Sequence, residues 1–353
     1  MSVLFAILLF SFLIFVHELG HFAAAKLSGV QVNEFAMFMG PAIFKKRVGE
    51  TLYTLRCIPI GGYCAMEGED ADTDNPRSFQ KAAWWKRLII LLAGAAMNFL
   101  AGLVLFLVVY APAEQFVVPV IDYFEESCVL QAEDGLQIGD RILAIDGDRV
   151  FVSSDFSTIL SLNSGDVHDV LVMRGGEKVL LDDFALVKAE FTEPDGTTSL
   201  RYGFNFSLEK ATFGSKLRFV WNTAMSNVQM VKLSIQMLLS GQAGLSDLGG
   251  PVMIVDQMAQ VADASPTLMD AILNMVYFGA FLAINLAVMN LLPIPALDGG
   301  RAVCLLITAA AEGISRKKIN PKYEGYLHTA GMVLLLALMA FVMFKDIFVI
   351  FKR

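Results

Sequence analysis

Two histidines and a glutamate, His17, Glu18 and His21, stand inside the apolar run Val3–Ala25, which holds no other charged side chain. On a helix, residues four apart lie one turn up and about 40° around, so both imidazoles reach a single ion. Glu18 projects close by at a different angle, where it meets a water on that ion rather than the ion itself. The spacing is H-E-x-x-H, in which two histidines hold zinc and the glutamate serves as general base. The bland alternative is three polar residues that meet at a helix end and hydrogen-bond there. Ionisable groups inside a membrane-spanning helix are costly, however, and three in one helix mark a functional site.

Two histidines do not complete a catalytic zinc site, which takes three protein ligands and an open position. The run from Asn285 to Gly300 is the best source of the third. Pro293 and Pro295 must break a helix there, because proline lacks the donor and clashes with the preceding turn. Broken backbone at membrane depth is tolerated only where it is buried in protein or lines a watery cavity. Asp298 stands at the end of the break. His17 lies about 21 Å down a helix from Val3, roughly two-thirds of the way across a 30 Å core, the level that Asp298 approaches. The alternative is that Asp298 only caps a helix beginning near Arg301.

The elements that must carry these residues follow from composition. The 353 residues are 56% hydrophobic and 18% charged, with a mean hydropathy of +0.58; a soluble domain has about 45–50% and about 25%. A soluble enzyme with one core, a disordered chain and a secreted disulfide scaffold are thereby excluded. Cys57, Cys64, Cys128 and Cys304 show no metal-type spacing and read as free thiols. Four stretches reach the roughly 20 apolar residues a span needs: Val3–Ala25, Leu88–Ala111, Ala271–Leu292 and Leu327–Phe344. The first lacks a basic segment ahead of it and is too long for a signal peptide, so it reads as a retained helix.

Charge gives the orientation. Residues 26–87 hold 9 basic side chains, and Arg301, Arg316, Lys317, Lys318 and Lys322 precede the last span. Both loops are expected to be cytoplasmic. Residues 112–270, with 23 acidic and 10 basic side chains, then lie outside, as do both termini. No basic surface for nucleic acid is present.

His17-Glu18-Leu19-Gly20-His21 in a first helix, followed by Asn290, Pro293, Pro295 and Leu297-Asp298-Gly299, resembles the site-2 protease family of intramembrane zinc peptidases, most closely the bacterial regulators-of-sigma-E type. The resemblance covers essentially the whole chain. It extends to Pro59-Ile60-Gly61-Gly62-Tyr63, to Glu67-Gly68-Glu69-Asp70 and to Leu248-Gly249-Gly250-Pro251. It implies Zn2+ held by His17, His21 and Asp298, with Glu18 activating water. It also implies substrate binding by Asn285 and Asn290, with Pro293 and Pro295 beside them. The substrates it implies are single-pass membrane proteins, such as trimmed anti-sigma factors or signal-peptide remnants, cleaved in regulated intramembrane proteolysis at a bacterial inner membrane.

Two further segments alternate like strands. Val32–Phe35 and Thr51–Leu55 flank a Val48-Gly49-Glu50 turn. In relatives this is a membrane-dipping β-structure that helps pair with substrate, the alternative being a cytoplasmic hairpin without contact to substrate; the family's Gly-Phe-Gly-Pro is here Phe38-Met39-Gly40-Pro41. The segment Gly135–Gly147 resembles bacterial PDZ domains, a fold that either binds an extended peptide or ligand protein by strand addition or filters substrates by size. Phe213–Leu239 is helix-like with Lys216, Arg218 and Lys232 interrupting it, and is expected to lie on the membrane surface.

The expected fold is thus a polytopic α-helical membrane protein of four transmembrane helices with a membrane-associated β-hairpin region and an extracytoplasmic PDZ domain. Its parts are residues 1–113 with the first two spans, a PDZ domain at 114–208, an amphipathic linker at 209–270, and 271–353 with the last two spans. Two rival functions remain: a non-catalytic PDZ scaffold, which has no need of all four site residues, and a zinc transporter or metal sensor. The latter needs polar residues along several helices, and the second span offers chiefly Asn98.

Overall fold

The computed structural model describes residues 2–69, 73–126, 128–163, 165–192, 197–244, 249–315 and 322–352. Asp70, Leu248, Arg316, Lys317 and Lys318 lie outside them. The chain divides into two compact units, Met1–Val109 with Val231–Arg353, and Tyr110–Met230.

The first unit opens with helix α1 (Ser2–Ser28). It stops at Gly29, which takes φ 82°, a conformation glycine adopts without a Cβ penalty. Val30 N–H donates to Ala25 O and Gly29 N–H to Lys26 O, so the last turn closes in a Schellman motif. Strands β1 (Val32–Val48) and β2 (Thr51–Met66) then pair around the expected turn. The sheet is longer than the alternation suggested, because β2 continues through Gly61 and Gly62. Each residue from Glu34 to Met37 has two partners, one from Leu52–Leu55 and one from Gly62–Ala65. The sheet is fastened to α1: Ser11 Oγ donates to Pro59 O at 2.6 Å, and the rings of Phe15 and Phe22 meet Phe35 at 5.8 and 4.9 Å. Phe38 takes φ 70°, the left-handed region, at the position where the family pattern has glycine. Helix α2 (Trp84–Tyr110) follows.

The second unit is a mixed α/β module. It contains β3 (Gln115–Phe124), β4 (Arg141–Ile145), β5 (Asp148–Arg149), helix α3 (Ser153–Leu162), β6 (Val167–Arg174), β7 (Glu177–Ala185), β8 (Ala189–Thr192), β9 (Thr198–Arg201) and β10 (Phe204–Lys210). The main sheet runs β10-β3-β4-β6-β7, with β5 on β4 and a separate β8-β9 pair. Ile142, Ile145, Phe156, Val170 and Val172 fill its core, each contributing about 1.5–3 kcal/mol relative to exposure to water. The turn before β4 is held by Asp140, which is fully buried and accepts from Arg174 Nε at 2.8 Å, Arg174 Nη2 at 2.6 Å and Gln137 N at 2.9 Å. Helix α4 (Phe213–Ser240) starts in this unit. Its buried polar residues have partners there: Ser226 Oγ donates to Asp155 at 2.5 Å and Gln229 to Arg149 O at 2.8 Å.

Back in the first unit come α5 (Pro251–Asp263), α6 (Leu268–Leu291), α7 (Asp298–Ser315) and α8 (Lys322–Lys352). Residues 251–263, read from sequence as linker, form a helix of their own. Ile254 of α5 packs against Leu13 of α1 and Leu282 and Ala283 of α6. The amides of Gly250 and Met253 at its start donate to Asp346 Oδ2 at 2.9 and 3.2 Å. Asp346 lies beyond the expected end of the last span and is 1% exposed. Helix α6 stops because Leu292, preceding Pro293, is extended with ψ 145°.

Among the described residues four helices are long and apolar enough to cross a membrane, with spans Phe5–Ser28, Trp84–Tyr110, Leu268–Leu291 and Gly325–Phe348. They correspond to the four expected spans, and α4 is not among them. The chain is a membrane protein.

Candidate active site

The structure brings the three metal-binding candidates to one point. Nε2 of His17 stands 3.1 Å from Nε2 of His21, and Oδ2 of Asp298 is 3.1 Å from the first and 3.2 Å from the second. In tetrahedral zinc sites with bonds of 2.0–2.1 Å, ligand atoms lie about 3.3–3.4 Å apart. Oδ2 of Asp298 is buried and accepts no hydrogen bond although both ring nitrogens face it. Three lone pairs turned on one spot are an arrangement a cation satisfies and neutral groups do not. The donor set of two imidazoles and a carboxylate suits zinc.

The helices create this geometry. His17 and His21 share one face of α1, their rings at 84° to each other. His21 Nδ1 lies 2.8 Å from Ile90 O on α2. With the proton on Nδ1 donated to that carbonyl, the Nε2 lone pair is left for an ion. Gly94, one turn further along α2, lies flat against both imidazoles; a Cβ there would collide with His21 Nε2 and His17 Cε1. Asp298 is the first residue of α7 rather than the cap of a helix starting at Arg301, whose N–H bonds Leu297 O at 3.1 Å. Arg301 donates to Glu69 from the next turn, tying α7 to the segment after β2.

Glu18 is not among the converging atoms. Its side chain runs beside β2, where a Cβ on Gly62 would stand 3.7 Å from Glu18 Cγ. Asn290 Nδ2 is 3.5 Å from His17 Nδ1. Asn285 Oδ1 is buried with no hydrogen-bond partner. Pro293 and Pro295 shape the turn between α6 and α7; Pro295 packs against Gly331. Sequence reasoning did not give Asn98 a place in this site. Its Nδ2 is 3.4 Å from His17 Nδ1. One signal was available: an amide four residues after Gly94, on the same face of α2.

Membrane helices gathered around a zinc-fitting triad with an adjacent glutamate define the class of membrane metallopeptidases. The chain matches Peptidase family M50 along residues 5–338, and it belongs to that family, the site-2 proteases. It is 37% identical over 354 residues to a protein of Clostridium perfringens named as a candidate zinc metalloprotease, covering 98% of both chains. A similarly named protein of Clostridium acetobutylicum is 33% identical, covering 98% of this chain and 97% of the relative. Zinc metalloprotease RasP of Geobacillus kaustophilus is 27% identical over 429 residues, with 98% and 97% covered. The chain is a zinc metalloprotease.

Proposed function

We propose that the protein is an intramembrane endopeptidase that cuts the transmembrane segments of single-pass membrane proteins, with His17, His21 and Asp298 as zinc ligands and Glu18 as the catalytic base. One observation carries the reading: the point where the three ligand atoms meet lies on a helix apolar and long enough to cross the bilayer. A peptide bond must come to that helix to be cut.

Bound zinc supplies Lewis acidity, which lowers the pKa of water towards about 7 and polarises a carbonyl. The chain's own residues do the rest. Glu18 takes the proton from the attacking water and hands it to the leaving amine. Ile90 O fixes the orientation of His21. Asn285, through its unpaired Oδ1, and Asn290 hold the backbone of an extended substrate, and the turn at Pro293 and Pro295 keeps helix from forming beside it. The exposed apolar side chains Met39, Ile43, Phe44, Ile58 and Ile60 of β1 and β2 support a sheet that dips into lipid next to the substrate.

We further propose a bacterial inner membrane, supported by the bacterial relatives, with the module at residues 114–208 a PDZ domain outside and both termini on that side. The enzyme's substrates are anti-sigma-like proteins and signal-peptide remnants awaiting regulated cleavage, and the module either binds an extended peptide or filters substrates by size.

The test is Glu18→Gln in reconstituted vesicles with a model transmembrane substrate. Zinc retained at full stoichiometry with cleavage abolished is the expected result. Undiminished cleavage would overturn the role of Glu18, and wild-type zinc content in Asp298→Ala would overturn that of Asp298.

A further inference from the structure

The turn that delivers Asp298 is bent at a residue with no chemistry of its own. Ala296 has φ 82°, a left-handed conformation that is strained for a residue with a Cβ. Such a conformation persists only where its surroundings over-determine it. Within the turn, Ile294 N–H donates to Leu292 O at 2.7 Å and Leu297 N–H to Ile294 O at 3.1 Å. On one side, Gly299 and Gly300 of α7 lie so close to the backbone of Leu291–Leu292 and Ile294–Pro295 that neither has room for a Cβ. On the other, Gly331 of α8 presses on Pro295 in the same way.

The amide of Ala296 itself donates to Nδ1 of His328 at 3.2 Å. His328 and Gly331 are three apart on α8 and so share a face. That face meets the turn at two adjacent residues, Ala296 through a hydrogen bond and Pro295 through backbone contact. A ring that accepts at Nδ1 carries its own proton on Nε2.

We infer that His328 is a positioning residue for the metal site: by accepting from Ala296 it fixes the left-handed turn two residues ahead of Asp298, and so sets where Oδ2 meets the two imidazoles. The inference rests on the proposed role of Asp298 as a zinc ligand. Without the acceptor, the Ala296 amide has a reason to turn away, the strained conformation relaxes, and the carboxylate leaves its place. A side chain of similar bulk without an acceptor keeps the packing and loses the function.

Three variants of the full chain, purified in detergent, test this: His328→Asn, His328→Gln and His328→Leu. Asn places its oxygen where Nδ1 stood; Gln places its amide one bond further out. Zinc affinity is read by competition with a chelator, and the ligand geometry by the visible absorption of the cobalt-substituted protein. The Leu and Gln variants are expected to bind zinc about tenfold or more weakly and to shift the cobalt bands. Asn is expected to recover most of the affinity and the wild-type spectrum.

Wild-type affinity and spectrum in both Leu and Gln would overturn the inference. So would an Asn variant as weak as Gln with an unchanged melting temperature. If Leu fails to fold, the Gln and Asn pair decides. Asp298→Ala, measured alongside, separates the two readings: should it bind zinc normally, the ligand assignment fails and the inference falls with it, whereas weak zinc in Asp298→Ala beside normal zinc in the Leu and Gln variants overturns the role of His328 alone.

Discussion

Asn98 on α2 sets its side-chain amide 3.4 Å from Nδ1 of His17 on α1, while its own Oδ1 is buried with no partner. A histidine that offers Nε2 to a metal carries its proton on Nδ1. Turning the amide so that Oδ1 accepts that proton satisfies both groups. Asn98→Leu should therefore weaken zinc binding by about 10–100-fold, while Asn98→Asp, which keeps an acceptor, should retain it. Equal zinc affinity in the Leu variant and the wild type, measured by chelator competition, would remove Asn98 from the site.

Gly94 should tolerate no side chain. In Gly94→Ala the new methyl group meets both imidazoles, so zinc stoichiometry and cleavage should fall together. Gly313→Ala in α7, with open space around the glycine, is the matched control. It should keep its zinc and gain up to about 1 kcal/mol of helix stability. Metal analysis and thermal melting of the two purified variants make the comparison.

Asp346 joins the end of α8 to the start of α5. Asp346→Ala leaves the buried amides of Gly250 and Met253 without their acceptor, at a cost of about 1–3 kcal/mol. Asp346→Asn keeps an oxygen in place and should lose less. The melting temperatures should fall in the order wild type, Asn, Ala; an Ala variant as stable as the wild type would show that the cap contributes nothing.

Glu50, in the turn between β1 and β2, is held at about 2, well below the ordinary carboxylate value of 4.5, by hydrogen bonds from Arg77 and then Lys26. A depressed folded-state value means that its contribution is fully present above about pH 4.5 and is lost as the pH falls towards 2. The gap in melting temperature between wild type and Glu50→Gln should be constant above pH 5 and shrink below 4.5. Both proteins are compared with zinc removed, so that metal release at low pH does not enter. A gap independent of pH would rule out the Glu50 pairings as its source.

The parts of this site that are local in sequence were the legible ones. His17, Glu18 and His21 advertise themselves because helical spacing alone puts them together, and Pro293 and Pro295 announce a break that Asp298 follows. The four spans were legible because lipid demands long apolar runs. What sequence periodicity does not carry is contact between helices. Ile90 offers only its backbone carbonyl, and Gly94 acts by having no side chain, so neither leaves a chemical mark. Asn98 stands out in the sequence only as the chief polar residue of the second span, because its partner lies on another helix. In α4 the charges Lys216, Arg218 and Lys232 are legible in the sequence, but the partners of Ser226 and Gln229, Asp155 and Arg149 O, are not, because they lie on other elements. Asp346 was passed over because hydropathy placed the end of the span at Phe344, and a carboxylate past a span's end looks solvated.

The ligands enter from opposite ends of the chain, His17 and His21 on α1 and Asp298 on α7. On the ligand set proposed above, this imposes an order of birth. The histidines are synthesised and inserted first, and at about 5–20 residues per second the ribosome needs roughly tens of seconds more to reach the aspartate. During that interval the nascent chain holds two imidazoles and a glutamate in the bilayer but no complete metal site. A chain cut short before α7 would lack the third ligand of that set, so the site can close only after the segment carrying Asp298 has been made.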